Sequence, residues 1–181
     1  INAPAVPYER RPEIDRWIIS LLNTLIKDVK AAYEDYDVTS AGRMIQDFVC
    51  DHVSNWYVRL NRKRFWGSAD NEDKLAAYQT LYEVLKDIAI LAAPIAPFYM
   101  DQLYLDLVPD GEESVHYVIM PSCDESVIDK DLEERMELAQ RASSMVLALR
   151  RKVNIKVRQP LSKLMIPVIS DKVREQLEKV K

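Results

Sequence analysis

The sequence predicts a mostly α protein with a small, truncated α/β appendage at its C-terminal end. Apolar residues recur at intervals of three and four through most of the chain, the signature of helices with one buried face. Only three glycines occur in 181 residues, while Leu-, Ile-, Ala-, Lys- and Glu-rich stretches dominate, a balance that favours helices over short strands and turns. With 48% hydrophobic residues the chain can bury a sizeable core.

The elements follow in order. The proline-punctuated start, to Arg11, is expected to be extended, and Pro12 suits the first turn of a helix, where its missing N–H is not needed. A first helix of about six turns carries Ile14, Trp17, Ile18, Leu21, Leu22, Leu25, Ile26, Val29, Tyr33 and Tyr36 on one buried face. Thr39 or Ser40 is expected to cap a second, with Ala41, Ile45, Phe48, Val49, His52, Val53, Trp56 and Leu60 buried and an end at Phe65-Trp66-Gly67. Asp70 or Asn71 begins a third, with Leu75, Tyr78, Leu81, Tyr82, Leu85, Ile88, Ala89 and Ala92, until Pro94 and Pro97 break it. A fourth runs from Pro97 to about Leu107.

Pro109-Asp110-Gly111 reads as a turn and Val115 to Met120 as extended. An acidic stretch, Asp124 to Glu137, leads into a fifth helix with Leu132, Met136, Ala139, Ala142, Met145, Val146, Leu149 and Val153. Lys156 to Leu161 is expected to be a loop or edge strand, Leu164 to Ile169 a short strand and Asp171 to Lys181 a polar helix. The expected division is a helical domain over 1–155 and the appendage over 156–181.

Charge is segregated. The net charge is -4, yet Arg141, Arg150, Arg151, Lys152, Lys156, Arg158 and Lys163 fall in a stretch with no acidic residue, and Arg59, Arg62, Lys63 and Arg64 form a second acid-free cluster. No apolar run is long enough to span a bilayer, and no signal pattern opens the chain, which reads as an interior piece of a longer, cytoplasmic protein. Cys50 and Cys123 lack the spacing of a zinc ribbon or a redox pair, which fits a reducing compartment, with free and paired states both open.

Catalytic constellations are missing. A helical bundle can house a carboxylate-bridged metal pair on Glu-x-x-His motifs, but neither His52 nor His116 follows a glutamate at that spacing. Cys50 and His52 lie about 200° apart on a helix and cannot meet as nucleophile and base. The reading is a buried structural cysteine, a core histidine, and no metal or catalytic residue; three glycines cannot supply a phosphate-cradling loop.

What remains is Ser54-Asn55-Trp56-Tyr57-Val58-Arg59-Leu60-Asn61-Arg62-Lys63-Arg64-Phe65-Trp66. At α-helical pitch Trp56 and Leu60 continue the buried face, and Asn55, Arg59, Arg62 and Trp66 share a stripe beside it. An amide, two guanidinium forks and an indole are groups that grip RNA through base edges, phosphates and unstacked bases. Arg150, Arg151 and Lys152, with Lys156 and Arg158 in the next loop, would extend that surface if the helices pack as antiparallel neighbours. The competing class is a helical protein-interaction module whose cations are solvated counterweight.

Asp15-Arg16-Trp17-Ile18, then Ser54 to Arg59, then Arg62-Lys63-Arg64-Phe65-Trp66 resemble successive landmarks of the isoleucyl-tRNA synthetases. Leu91 to Phe98, Ser114-Val115-His116 and Val157-Arg158-Gln159-Pro160-Leu161 continue the resemblance over nearly the whole chain. It implies the antiparallel helical bundle of a class I synthetase anticodon-binding domain, whose partners are the anticodon stem-loop of tRNA(Ile) and the rest of the synthetase, with neither membrane nor DNA. Ligation of isoleucine, with ATP and Mg as cofactors, belongs to the parent enzyme; its HIGH and KMSKS signatures and its editing domain are not in this chain. The chain is expected to start after the family domain's first helix. The RNA-binding residues implied are Asn55, Arg59, Arg62, Lys63, Arg64, Trp66, Arg150, Arg151, Lys152, Lys156 and Arg158.

Overall fold

Pro12 stands just before the first helix. In the computed structural model, which describes residues 3–67, 71–163, 165–168 and 171–180, its carbonyl accepts the N–H groups of Asp15 and Arg16 at 3.0 and 3.1 Å. Helix α1 (Glu13–Glu34) then buries Trp17, Ile18, Ile19, Leu22, Leu25, Ile26 and Val29, close to the expected face. It ends in a left-handed reversal. Tyr36 has φ 59°, its N–H donates to Tyr33 O and the next N–H, of Asp37, to Ala32 O at 2.8 Å, the paired bonds of a Schellman end. Tyr36 is therefore not the last buried residue of the helix but 92% exposed beyond it.

Asp37 closes one helix and opens the next. Its carboxylate accepts the N–H of Ser40 at 3.0 Å, so the cap of α2 (Val38–Asp47) is Asp37 rather than Thr39 or Ser40. These hydrogen bonds hold the Asp37 carboxyl below its usual range.

The helix continues past Asp47 with wider turns, as a π-helical segment over Phe48–Val58. The buried residues record the change: Ala41, Ile45 and Phe48 are spaced by four and three, the next is Val53, five on, and Tyr57, Asn61 and Phe65 follow at fours. Bonding to the fifth residue instead of the fourth shifts the register by one position. Tyr57 thus takes the core place expected of Trp56, which is half-buried, and Asn61 that of Leu60, which is exposed. Cys50, expected to be buried, is exposed; it and Cys123 are both free thiols. His52 is half-buried against the rings of Trp17 and Phe48, at 5.9 and 6.2 Å. A turn at Asn61 separates this segment from the short α3 (Arg62–Trp66).

Asn71 caps α4 (Glu72–Ala92), accepting the Lys74 N–H at 2.9 Å; Asp70, the other expected cap, lies outside the described residues. The buried face of α4 is rotated from the expected one in its first half. Ile88, Ala89 and Ala92 are buried as expected, with Ile90 and Leu91 beside them, but earlier in the helix Ala76, Ala77, Thr80 and Val84 face inward, with Leu75, Leu81, Tyr82 and Leu85 half-buried and Tyr78 exposed. The first half of α4 has both a Leu- and Tyr-rich side and a side of small residues, and the small one packs inward. Helix α5 (Pro97–Leu107) keeps its expected bounds. Ala89, Ile90, Ala93, Tyr104 and Val115 form a small core there. Val115–Tyr117 is a 3-10 turn, not an extended run, because Ser114 Oγ caps it by accepting the His116 N–H.

Two compact units divide the chain at residues 128 and 129, rather than at 155 and 156. In the second, Asp129 caps α6 (Lys130–Lys152) through the Leu132 N–H. Helix α7 (Asp171–Val180) runs beside the first half of α6, with Lys172 Nζ 2.6 Å from Glu134. The expected buried stripe of α6 does not continue: Leu132 is buried, but Met145, Leu149 and Val153 are exposed, beyond the stretch that α7 lines. Of the expected strand, Leu164 and Ile169 lie outside the described residues, and 165–168 pairs with no strand among them; an isolated strand has nothing to satisfy its ladder. No helix among the described residues is long and apolar enough to cross a membrane.

Candidate nucleic-acid interface

The first basic cluster stands where the π-helical segment gives way to α3. Tyr57, Asn61 and Phe65 face inward, and this leaves Asn55, Arg59, Arg62, Lys63 and Trp66 exposed. The Arg62 guanidinium lies over the Trp66 indole, 5.8 Å from its centroid, and that ring is 70% exposed. A cation held on an indole face offers a flat surface and a positive charge side by side, the combination on which an unpaired base stacks while its phosphate is held.

Arg64, expected among the same groups, points the other way. Its side chain is 15% exposed. Nη1 and Nη2 form a fork to the two oxygens of Asp15, both at 2.8 Å. Nη1 also donates to Asn61 Oδ1 at 2.9 Å, Nη2 to Asp73 O at 2.8 Å and Nε to Asp73 Oδ2 at 3.0 Å. A guanidinium has five N–H donors, and here all five have protein acceptors.

Asp15 is fully buried in the apolar stripe of α1. A carboxylate in such a place costs several kcal/mol unless paired and hydrogen-bonded. It is paired with Arg64, and the Tyr57 hydroxyl donates to its Oδ1 at 2.8 Å. Burial, then the charge of Asp15, pushes the Tyr57 phenol well above its usual range, so it stays a donor. Burial alone would lower the Arg64 pKa, but the bonds and charges of Asp15 and Asp73 outweigh it and raise it. Elsewhere Arg11 donates to Val6 O, Thr80 Oγ1 and Glu83 at 3.1, 3.2 and 3.0 Å.

Sequence reasoning missed the roles of Asp15, Tyr57, Asn61 and Asp73. One signal was available: an aspartate between Ile14 and Trp17, on the buried face of α1, must meet a cation or several donors.

The second cluster is built on a helix end and a loop. Asn154 has φ 56°, and the Ile155 N–H donates to Arg150 O at 2.9 Å, so α6 also closes with a Schellman reversal. Arg150 Nη1 then donates to Lys156 O and Gln159 O, at 2.8 and 2.9 Å, and clasps the following loop. Arg151, Lys152, Lys156 and Arg158 are exposed around that clasp. The two clusters belong to different compact units. No group of three or more His, Cys, Asp and Glu among the described residues could hold a metal ion.

Residues 15–166 match the family described as the anticodon-binding domain of tRNA ligase. The chain is 57% identical over 180 residues to the isoleucine–tRNA ligase of Bacteroides fragilis, covering 97% of this chain and 16% of that protein. The corresponding ligase of Porphyromonas gingivalis is 56% identical over 176 residues, 97% of this chain and 15% of that protein; that of Clostridium tetani is 44% identical over 159, 86% and 15%. The chain thus spans about a sixth of the length of these curated relatives. With a helical bundle of the expected kind and a family match over most of its length, the chain belongs to the anticodon-binding domain family of tRNA ligases.

Proposed function

We propose that the chain is the part of a cytoplasmic isoleucine–tRNA ligase that grips the anticodon stem-loop of tRNA(Ile). In this reading the longer enzyme, with ATP and Mg, performs the ligation, and this segment positions the RNA without chemistry of its own. The observation that carries the proposal is the exposed Arg62–Trp66 pair flanked by Arg59 and Lys63. Arg59, Arg62 and Lys63 hold phosphate; Trp66 stacks a loop base, and Asn55 reads a base edge. On the second unit, Arg151, Lys152, Lys156 and Arg158 hold phosphate as a cluster of their own, with Arg150 shaping their loop. Phosphate contacts orient the RNA, and the few base contacts discriminate.

Titration of a tRNA(Ile) transcript with the chain at several salt concentrations tests it. Binding is expected to weaken steeply with salt, by a logarithmic slope of about 0.7 per phosphate contact in single-stranded regions. Arg59→Ala should weaken all tRNAs about equally and lower the slope, while Asn55→Ala should narrow the gap between tRNA(Ile) and other tRNAs. Absence of binding at low salt, or binding indifferent to salt, rejects the proposal in favour of a protein-interaction surface.

A further inference from the structure

We infer that Arg64 is a positioning residue: anchored on the buried Asp15, it fixes α3 so that Arg62 and Trp66 stand as a stacked pair, and it makes no RNA contact itself. The inference rests on the RNA-gripping role proposed above. Four observations lead to it.

Arg64 has no donor left. Its five N–H groups are engaged by Asp15 on α1, Asn61 at the turn and Asp73 on α4. A phosphate could recruit it only by displacing a buried carboxylate's partner, which is expensive.

Helix α3 cannot hold itself, because five residues barely close one hydrogen-bonded turn and isolated helices of that length do not form in water. Its orientation must come from tethers. Phe65 is buried, Tyr78 donates to Phe65 O at 3.0 Å, and Lys74 donates to Gly67 O at 3.0 Å. The two hydrogen bonds reach α4, and the Phe65 ring packs on Tyr57 of the π-helical segment and Tyr78 of α4, at 6.2 and 5.4 Å; Arg64 is the tether that reaches α1.

The anchor is itself held in place. Tyr57 donates to Asp15 from the π-helical segment, and the register shift there is what brings Tyr57, rather than Trp56, to the core. The segment before the turn and the helix after it thus meet on one carboxylate.

Finally, Arg62 and Trp66 flank Arg64 by two residues on each side of a single turn, so a rotation of α3 about its axis swings both together. With the Arg64 fork set on Asp15, that rotation is fixed.

The test uses the full chain and four substitutions. Arg64→Lys keeps the charge but loses the fork, and Asp15→Asn keeps the shape but loses the anchor's charge. Both are expected to weaken tRNA(Ile) transcript binding on the order of tenfold with the wild-type salt slope intact. Arg62→Ala should instead lower that slope by about 0.7. Val84→Ala, in the α4 core, controls for lost stability and should bind as the wild type at temperatures where the variants remain folded.

A readout without RNA is acrylamide quenching of Trp66, taken as the difference between each protein and its Trp66→Phe counterpart. It should change in Arg64→Lys and not in Val84→Ala. Unchanged quenching in Arg64→Lys overturns the inference, as does a Val84→Ala loss equal to that of Arg64→Lys. An Arg64→Ala variant with a slope lowered by one contact, beside a near-wild-type Arg64→Lys, makes Arg64 an ordinary phosphate contact. If the wild type binds no tRNA while Trp66 responds as expected, the RNA-binding role fails and the positioning of α3 stands.

Discussion

Each basic cluster turns one arginine inward so that the others can face outward, but the two arginines stand on different ground. Arg64 forks onto Asp15, which is fully buried, and draws in two further side chains. Arg150 reaches backbone carbonyls of the loop that follows it, in surroundings where Arg151, Lys152, Lys156 and Arg158 are exposed. The first arrangement binds one element of the core to another; the second shapes a local loop. Their energetic weights should differ accordingly, because removing one partner of a buried ion pair strands the other, while groups near water are resolvated.

Asp15→Ala is the hardest break. It leaves Arg64 and Tyr57 without their shared acceptor and should cost about 3–5 kcal/mol in urea unfolding. Arg150→Ala should cost about 1 kcal/mol or less. Comparable losses for the two would show that the buried carboxylate does not organise the first unit.

A second carboxylate of the first unit sharpens the point. Asp87 on α4 has a side chain 14% exposed, and the ion pair it makes is a long one, with Lys86 Nζ at 3.7 Å. Burial, with the charge of Glu83 adding and that of Lys86 opposing, pushes its carboxyl up from 3.8 to about 6. The folded chain therefore holds a proton that the unfolded chain releases between those values, so this group's contribution to stability falls as pH rises from about 4 to about 6. Asp87→Asn should remove that dependence and stabilise the chain at pH 7 by up to about 3 kcal/mol, with little gain at pH 3. A gain equal at both pH values would mean that ionisation of Asp87 is not what costs stability.

The contrast also explains what could be read from the sequence. Helix α1 was legible because Trp17, Ile18, Leu22, Leu25, Ile26 and Val29 admit one helical face, and α5 because Pro97 sets its start. The outward cations Arg59, Arg62 and Lys63 were legible from charge alone. The register between Phe48 and Leu60 was not, since Val49, His52, Val53, Trp56, Tyr57 and Leu60 satisfy either an α or a π ladder, and tertiary demand chose the one that takes Tyr57 to Asp15. Arg64 could not be told from Arg62 for the same reason: which of two neighbours turns inward depends on where a carboxylate in the first turn of another helix comes to lie. Charge was visible, but its partner was tertiary.

The smallest differences lie at the two Schellman reversals. Tyr36 after α1 and Asn154 after α6 both occupy left-handed backbone, at φ 59° and 56°. A Cβ in that region costs roughly 1–2 kcal/mol, but asparagine offsets part of it through local hydrogen bonding, and tyrosine has no such means. Glycine avoids the penalty while losing more conformational freedom on folding. Tyr36→Gly should therefore stabilise the chain by up to about 1 kcal/mol, and Asn154→Gly by no more than a few tenths, both measured by thermal or urea unfolding. Tyr36 is 92% exposed, so the substitution removes little burial to confuse the comparison. If Tyr36→Gly destabilises instead, the ring holds something that its exposure hides, and the first reversal is then fixed by a side chain where the second is fixed by backbone alone.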